Sequence, residues 1–548
     1  MQPSVREQEW KEIHKRSILN ESFVEVSLDI TDPDALADAE AADNGAIYTS
    51  NSVEVTKQVD KNIHPYCTLE QNLWCLDGSR KAIPESDFID ESYVSDVLSD
   101  ETCVFSTKQP TITIEFDELH RNLIPGLTIT WSKTYDEYAD TFEVIAYNGS
   151  TVKATKEVTG NRSVKSLILT DIVDYNRIVV VIKKWCLPQH RARVEEIFLG
   201  VNKVYGKGEL FDYSHSQSVD PVSTSLPKVE IAFSIDNVSG EYNPHNPNGL
   251  AKYLMNRQEV KARYGLKMDD GSIDWIKGGT FYLSEWYAKQ NGMTADFKAR
   301  DVLEFMSDIY YDTDFDNKVS TILTGNKGRT LSYLAELILA SANLPEHSKN
   351  TPKWIIDSSL ENYSTTARLP EDTLANNLQL IANAAGCALY QDRDGVLCIE
   401  PLKYSSAACE INSFNSFSKS EITLSKPLKK AIVKIYTYEM VTDAMGNDEI
   451  KTTITELERT SGDPVGETII LDNPLVTSLE MASNIADKLY DQLSHRMTLE
   501  SSWRPDIRLD VLDIVENVND YNTSRVRMTD VEFKYNGAFR ATGKGKVM

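Results

Sequence analysis

Residues 233–306 read FSIDNVSGEYNPHNPNGLAKYLMNRQEVKARYGLKMDDGSIDWIKGGTFYLSEWYAKQNGMTADFKARDVLEFM. The stretch opens inside an alternating run, Val229 to Ile235, which predicts a half-buried strand. An Asn-, Gly- and Pro-rich loop follows at 237–244. Such residues mark turns because they tolerate or fix turn dihedrals. The pattern then predicts a helix over 249–256 and strands over 259–264, 275–283 and 293–300. Asp301 stands where a helix N-cap belongs, so 301–310 is expected to be helical.

Upstream, residues 205–225 read as a turn-rich crossing. Before it the chain is dense in short alternating runs: 111–116, 126–131, 141–147, 152–158, 177–184 and 193–199. Asn148-Gly149 predicts a tight hairpin turn, since a type I′ turn needs positive φ at both central positions. Strands at this spacing predict a β-sandwich of about 105 residues. The acidic, turn-rich segment 82–100 reads as a linker into it. Residues 31–55, rich in Ala, Asp and Asn, read as a loop or a short helix around 33–41. Residues 23–30 alternate strictly and predict a strand, and 5–18 allow a short helix with Trp10 and Ile13 on one side.

Downstream the period changes. Residues 330–342 and 373–385 carry apolar side chains at helical spacing, and Gly386 is placed to cap the second helix. Asp392-Arg393-Asp394-Gly395 reads as the turn of a hairpin, giving a small α+β unit. The last part returns to β: a hairpin over 431–456 about the turn 445–448, one helix over 479–492, and strands over 502–515 and 526–535.

The chain has 548 residues and a formal net charge of −26, from 83 acidic and 57 basic side chains. That balance opposes any function that works by neutralising phosphates, because each such contact needs a cation. It suits a surface past which DNA slides without sticking. No run of about 18 apolar residues is present, so no membrane span is expected. The first residues lack an apolar stretch, so no secretory leader is expected and the protein should be made and kept in a cytoplasm. The seven cysteines form no Cys-x-x-Cys pair. They are expected to be reduced and mostly buried, with no zinc site.

Chemistry is sparse. No Gly-x-Ser-x-Gly, His-Glu-x-x-His or phosphate-binding glycine loop occurs. Neither catalytic nor metal residues nor a cofactor are therefore expected. Asp312, Asp314 and Asp316 resemble the start of an EF-hand loop. Asn317 stands where that loop needs Gly and Leu323 where it needs Glu, so calcium is not expected there. A sugar site on the sandwich would use Tyr135, Tyr138, Trp185, His190 and Arg191, because rings stack on apolar sugar faces and polar tips fix hydroxyls. The commoner role of such rings is core or rim packing.

The loop Asn-Pro-x-x-Pro-x-Gly at 243–249, Arg263-Tyr264-Gly265-Leu266, Gly278-Gly279-Thr280-Phe281 and Ala299-Arg300-Asp301-Val302-Leu303 together resemble the tail-tip (baseplate) hub proteins of phages and prophages of Gram-positive bacteria. KRSILNESFVEVSLDITDPDA near the start, YCTLEQNLWCLDGS at 66–79, ANAAGCALYQDRDGVLCIEPL and RPDIRLDVLDIVE at 504–516 agree with that likeness. In the last segment Leu512 stands where these proteins usually carry Gly before the Asp. Residues 100–202 resemble the discoidin or galactose-binding sandwich, through 112–116, 127–131, 138–144, 177–183 and 191–197.

The resemblance implies a mainly β fold with α+β parts: two tube-like β-barrel domains, a small α+β domain and an inserted jelly-roll sandwich. Residues 1–85 and 205–318 would form barrel domain 1, interrupted by the sandwich at 86–204. Residues 319–410 would be the helix-hairpin domain and 411–548 barrel domain 2. It implies a non-enzymatic hub subunit at the virion tail tip, assembled in the host cytoplasm as a homo-oligomer, with a trimer favoured. Implied partners are distal tail or tube proteins, the tape-measure protein and receptor-binding or fibre proteins, with DNA passing without specific binding. The alternative is a fibre or adhesion protein that binds a host surface glycan through the sandwich.

Overall fold

The computed structural model describes residues 4, 6–14, 16, 20–57, 65–82, 92–289, 292–311, 328–342, 344–345, 352–403, 406–442, 448–461 and 464–548. The chain is mainly β. Ser22–Thr31 shows why: its side chains alternate between buried and half-buried along the first seven residues, as a pleated strand with one core face requires.

A 13-stranded sheet dominates. Its order runs Gly200–Tyr205, Ser22–Thr31, Glu259–Lys267, Ile273–Ala288, Thr294–Arg300, Lys228–Asp236, Leu210–Ser218, Thr523–Tyr535, Phe539–Val547, Met497–Trp503, Glu421–Leu424. Ile514–Val518 branches from Thr523–Tyr535 and carries Cys409–Ile411. The two strand sets expected as barrel regions are thus joined edge to edge, along a seam from Tyr213↔Tyr535 to Ser218↔Asp530. The sheet also curls. The Tyr535 hydroxyl donates to the carbonyl of Ser22 at 3.0 Å, although five strands separate their two strands in the sheet order. One apolar core fills the curl, with Tyr264, Phe281, Phe533 and Phe539 at its centre. The helix Glu7–His14 buries Trp10 and Ile13 against it, and the Trp10 indole donates to Asp274 at 2.6 Å.

The sandwich grows out of this sheet. A five-stranded sheet, Glu40–Asp43, Thr111–His120, Tyr175–Trp185, Ala139–Asn148 and Thr151–Val158, faces a three-stranded one, Glu196–Phe198, Ile124–Thr130 and Lys165–Ile172. Trp131, Phe142 and Trp185 meet edge to face in the core between them. A hairpin forms there, but its two turn residues are Gly149-Ser150: Asn148 pairs with Thr151 in the ladder and only Gly149 has a positive φ, +56°, so the turn is not the type I′ turn expected at Asn148-Gly149. Two further details differ from the sequence reading. The segment read as a linker contains a strand, Tyr93–Leu98, paired with Arg191–Val194. Residues 33–57 side with the sandwich: Ala41 pairs with Ile114, and Ala35, Ala41 and Val55 are buried in its core.

The α+β part has a second core. Helices Leu331–Ser341 and Leu374–Ala385 pack with the small sheet Trp354–Ile356, Leu397–Glu400 and Ala388–Gln391. Gly386 caps the second helix at φ +65°. Val433, Ile435, Leu471, Ile485 and Leu489 belong to the same core. The hairpin Leu428–Thr442 and Asp448–Thr460 and the helix Leu479–Ser494 therefore join this part rather than the curled sheet.

Two expected helices shrink to single turns, Ala251–Tyr253 and Val302–Phe305. In the first, Asn243 and Asn246 side chains accept from the backbone of His245 and Asn248, so the chain spends itself in successive turns. In the second, the backbone carbonyls of Met306 and Ile309 receive the N–H groups of Ala375 and Leu374 instead of continuing a helix.

Arg393 joins the α+β part to the sheet. The guanidinium, 3% exposed, donates to Asp510 at 2.6 Å and to the carbonyls of Lys277, Ile507 and Leu509 at 2.7–3.0 Å. Its hairpin turn is the one expected at 392–395.

Candidate functional site

Four of the five residues considered for a sugar site gather at one end of the sandwich, around the segment 65–82. That segment folds back on itself: Cys67 donates its N–H to the Lys81 carbonyl at 2.8 Å, and Lys81 its own to Pro65 at 3.0 Å. Its side toward the sandwich carries Glu70, which is buried. The Glu70 carboxylate accepts from the Arg191 N–H at 2.8 Å and from both terminal nitrogens of Arg193. Arg193 is wholly buried: it lies on the strand face opposite the core residues Ala192 and Val194, where the segment carrying Glu70 covers it.

Glu137 completes the cluster. One oxygen accepts the Trp185 indole N–H at 2.7 Å, and the other meets His190 Nδ1 at 2.8 Å. His190 Nε2 meets the Gln71 carbonyl at 2.7 Å. A carbonyl and a carboxylate only accept, so an imidazole that satisfies both must donate from both nitrogens. The geometry therefore fits the imidazolium. Two carboxylates, Glu70 and Glu137, then balance two cations, Arg193 and His190, as buried charges require. Burial alone would lower the His190 pKa, but the hydrogen bond and charge of Glu137 outweigh it and the net shift is upward. Burial likewise works to raise Glu70, and Arg193 overrides it to leave the net shift downward.

Tyr135 lies between two guanidiniums, Arg80 at 5.0 Å and Arg193 at 4.6 Å from the ring centre. Arg191 donates to the Ser95 carbonyl at 2.7 Å. Tyr138 is half-buried, exchanging backbone contacts with Cys186 rather than joining the cluster. Trp185 and His190 are buried with their polar atoms engaged, so in this arrangement they brace the segment 65–82 and offer no face to solvent. Sequence reading missed Glu70, Gln71, Glu137 and Arg193. The available signal was weak: an Arg at alternate positions of a strand, and a Glu inside a segment singled out for other reasons. What the segment does offer outward is apolar. Leu69 is 90% exposed, Leu76 67% and Trp74 56%.

Elsewhere the chemistry stays sparse. A cavity of about 60 Å³ lies beside Arg393, lined by His215, Gln217, Gly279 and Asp510 among others. Its lining is more apolar than polar, and its size suits a water or two. Among the described residues no group of His, Cys, Asp and Glu could hold a metal ion. Asp312, Asp314 and Asp316 lie outside the described residues. No described helix is long and apolar enough to cross a membrane.

The chain is similar to solved tail proteins. One, the tail protein from Neisseria meningitidis, is 12% identical, with 63% of this chain and 93% of that one covered at a TM-score of 0.42. The 43 kDa tail protein of prophage MuSo2 from Shewanella oneidensis is 14% identical, with 63% and 95% covered at 0.41. An E. coli component of the type VI secretion system is 8% identical, with 62% and 74% covered at 0.33. No protein-family model and no curated protein matches the chain.

Proposed function

We propose that this chain is a non-enzymatic structural subunit of a phage-type tail tip, a hub that assembles into a ring continuing the tail tube. The observation that carries the reading is the seam between Leu210–Ser218 and Thr523–Tyr535. It welds strand sets some 300 residues apart into one curled sheet, the element from which a tube wall can be built. The sequence resemblance to hub proteins supports it from a separate direction, and its matching segments at 233–306, 370–402 and 504–516 lie outside the sandwich. The sandwich, which resembles the discoidin type, is the module that faces outward toward other tip proteins. The resemblance implies a trimer, with tube, tape-measure and fibre proteins as neighbours. The acidic balance suits a lumen through which DNA passes unbound.

Electron microscopy of the purified full chain tests this. Rings with a central channel are expected, alone or on addition of a tail-tube protein. A chain that stays monomeric under both conditions, while binding a defined glycan on an array, would replace the hub by the fibre or adhesion reading.

A further inference from the structure

The segment 65–82 holds a feature that the hub reading does not use. Cys67 and Cys75 stand on either side of the loop that displays Leu69 and Trp74. The Cys67 thiol donates to the carbonyl oxygen of Cys75 at 2.9 Å. A carbonyl oxygen lies about 2.4 Å from its own Cα, so the Cys67 sulfur is within about 5 Å of the Cys75 Cα. The Cys67 sulfur in turn lies about 2.8 Å from its own Cα, so the two Cα atoms are at most about 8 Å apart, and the turn between them needs no more than a small backbone shift to reach the separation of about 4.4–6.8 Å that a disulfide spans. Cys67 is buried and Cys75 partly exposed, so a reagent reaches Cys75 first.

We propose that Cys67 and Cys75 are a redox modification site, closing to a disulfide when the protein leaves a reducing cytoplasm and meets a small-molecule disulfide. The Cys75 thiolate attacks one sulfur of that reagent and expels the other as a thiolate, forming a mixed disulfide. The Cys67 thiol, losing its proton to solvent, attacks the Cys75 sulfur and expels the second small thiol. Two protein thiols are oxidised, one small disulfide is reduced to two thiols, and no other reactant is needed. The product fixes the loop that displays Leu69 and Trp74, while Glu70 and Gln71 between them stay anchored to Arg193 and His190.

The other five cysteines make poor competitors. Burial pushes the thiols of Cys186 and Cys387 up to about 11 and of Cys398 up to about 12, and it raises Cys103 and Cys409 too. The thiolate is the reacting form, so such groups react slowly. Cys103 and Cys186 also lie close together, since Cys103 accepts the N–H of Trp185, and they serve as the internal control.

The test treats the folded full chain with oxidised glutathione, alkylates remaining thiols, and maps the peptides by mass spectrometry. The expected result is a peptide pair linked through Cys67 and Cys75, with two of the seven thiols lost and the other five alkylated. Cys67→Ser and Cys75→Ser should each abolish the link; Cys67→Ser should instead retain glutathione on Cys75. Cys75 stopping at the glutathione adduct in the unsubstituted chain would overturn the proposal, as would a link between Cys103 and Cys186 in its place. The outcome is independent of ring formation, so it stands or falls apart from the hub reading.

Discussion

Thr31 and Gly200 are register partners on adjacent antiparallel strands of the curled sheet. The chain leaves that sheet at Thr31, builds the whole sandwich, and returns beside its point of departure. The Thr31 hydroxyl donates to the Leu199 carbonyl at the crossing. Gly200 sits at φ +144°, and a Cβ there would collide with the carbonyl oxygen of Ile30, so the return is built for glycine.

An excision that respects this crossing should be tolerated. Removing residues 32–199 and joining Thr31 to Gly200 through a two-residue Asn-Gly turn replaces the sandwich by a hairpin. Far-UV circular dichroism and gel filtration should show a folded, soluble remainder. Removing 100–202 instead takes away Gly200–Val201–Asn202 and strips Glu40–Asp43 of its partner strand, and should yield an insoluble or partly folded product.

Arg393→Ala should loosen the union of the α+β part with the sheet. It removes four hydrogen bonds, two of them buried and one to the partly exposed Asp510 carboxylate, and losing such charge-assisted bonds costs about 2–3 kcal/mol. Hydrogen exchange should quicken at 507–510 and 277. Arg393→Lys should recover only part of the loss, because a single ammonium cannot reproduce the fork. Unchanged exchange in both variants would refute the keystone role.

The hold on segment 65–82 should weaken in alkali. The His190 pKa is raised in the folded chain, so its stabilising contribution is fully present below the unfolded value of about 6.5 and fades as pH rises through the folded value. Loss of the proton costs one of the two bonds, to Glu137 or to the Gln71 carbonyl. Exchange in 65–82 should accelerate from pH 6 to pH 9 beyond the intrinsic chemical rate, and His190→Gln should flatten that dependence.

Leu512 holds a strained backbone position. It adopts φ +67°, a left-handed conformation that costs a non-glycine residue about 1–2 kcal/mol. Leu512→Gly should therefore change stability by no more than about 1 kcal/mol, relief of strain offsetting lost packing and glycine entropy. Leu509→Ala, at a wholly buried side chain nearby, should cost about 2–5 kcal/mol. Denaturant midpoints of the two variants give the comparison.

Local pattern was legible where a single face of an element is buried. The strands expected at 229–235, 259–264, 275–283 and 293–300 form as Lys228–Asp236, Glu259–Lys267, Ile273–Ala288 and Thr294–Arg300. The helix expected at 479–492 forms as Leu479–Ser494. Alternation and helical spacing report burial directly, so these elements needed no partner to be seen. The mainly β class, the hairpin turn at 392–395 and the existence of a hairpin near Gly149 follow from the same local chemistry, although the turn itself falls one residue later than expected.

Which strands meet was decided only in three dimensions. Nothing in Tyr213 or Tyr535 announces that they face each other across a seam, because a strand edge is a row of backbone groups common to every residue. The assignment of residues 428–494 to the α+β core rests on which apolar face found which, and apolar contact is non-directional. The cluster of Glu70, Glu137, His190 and Arg193 was hidden for a related reason. Each of these residues reads as a surface charge until the fold brings four of them out of water together, where only mutual neutralisation makes their burial tolerable.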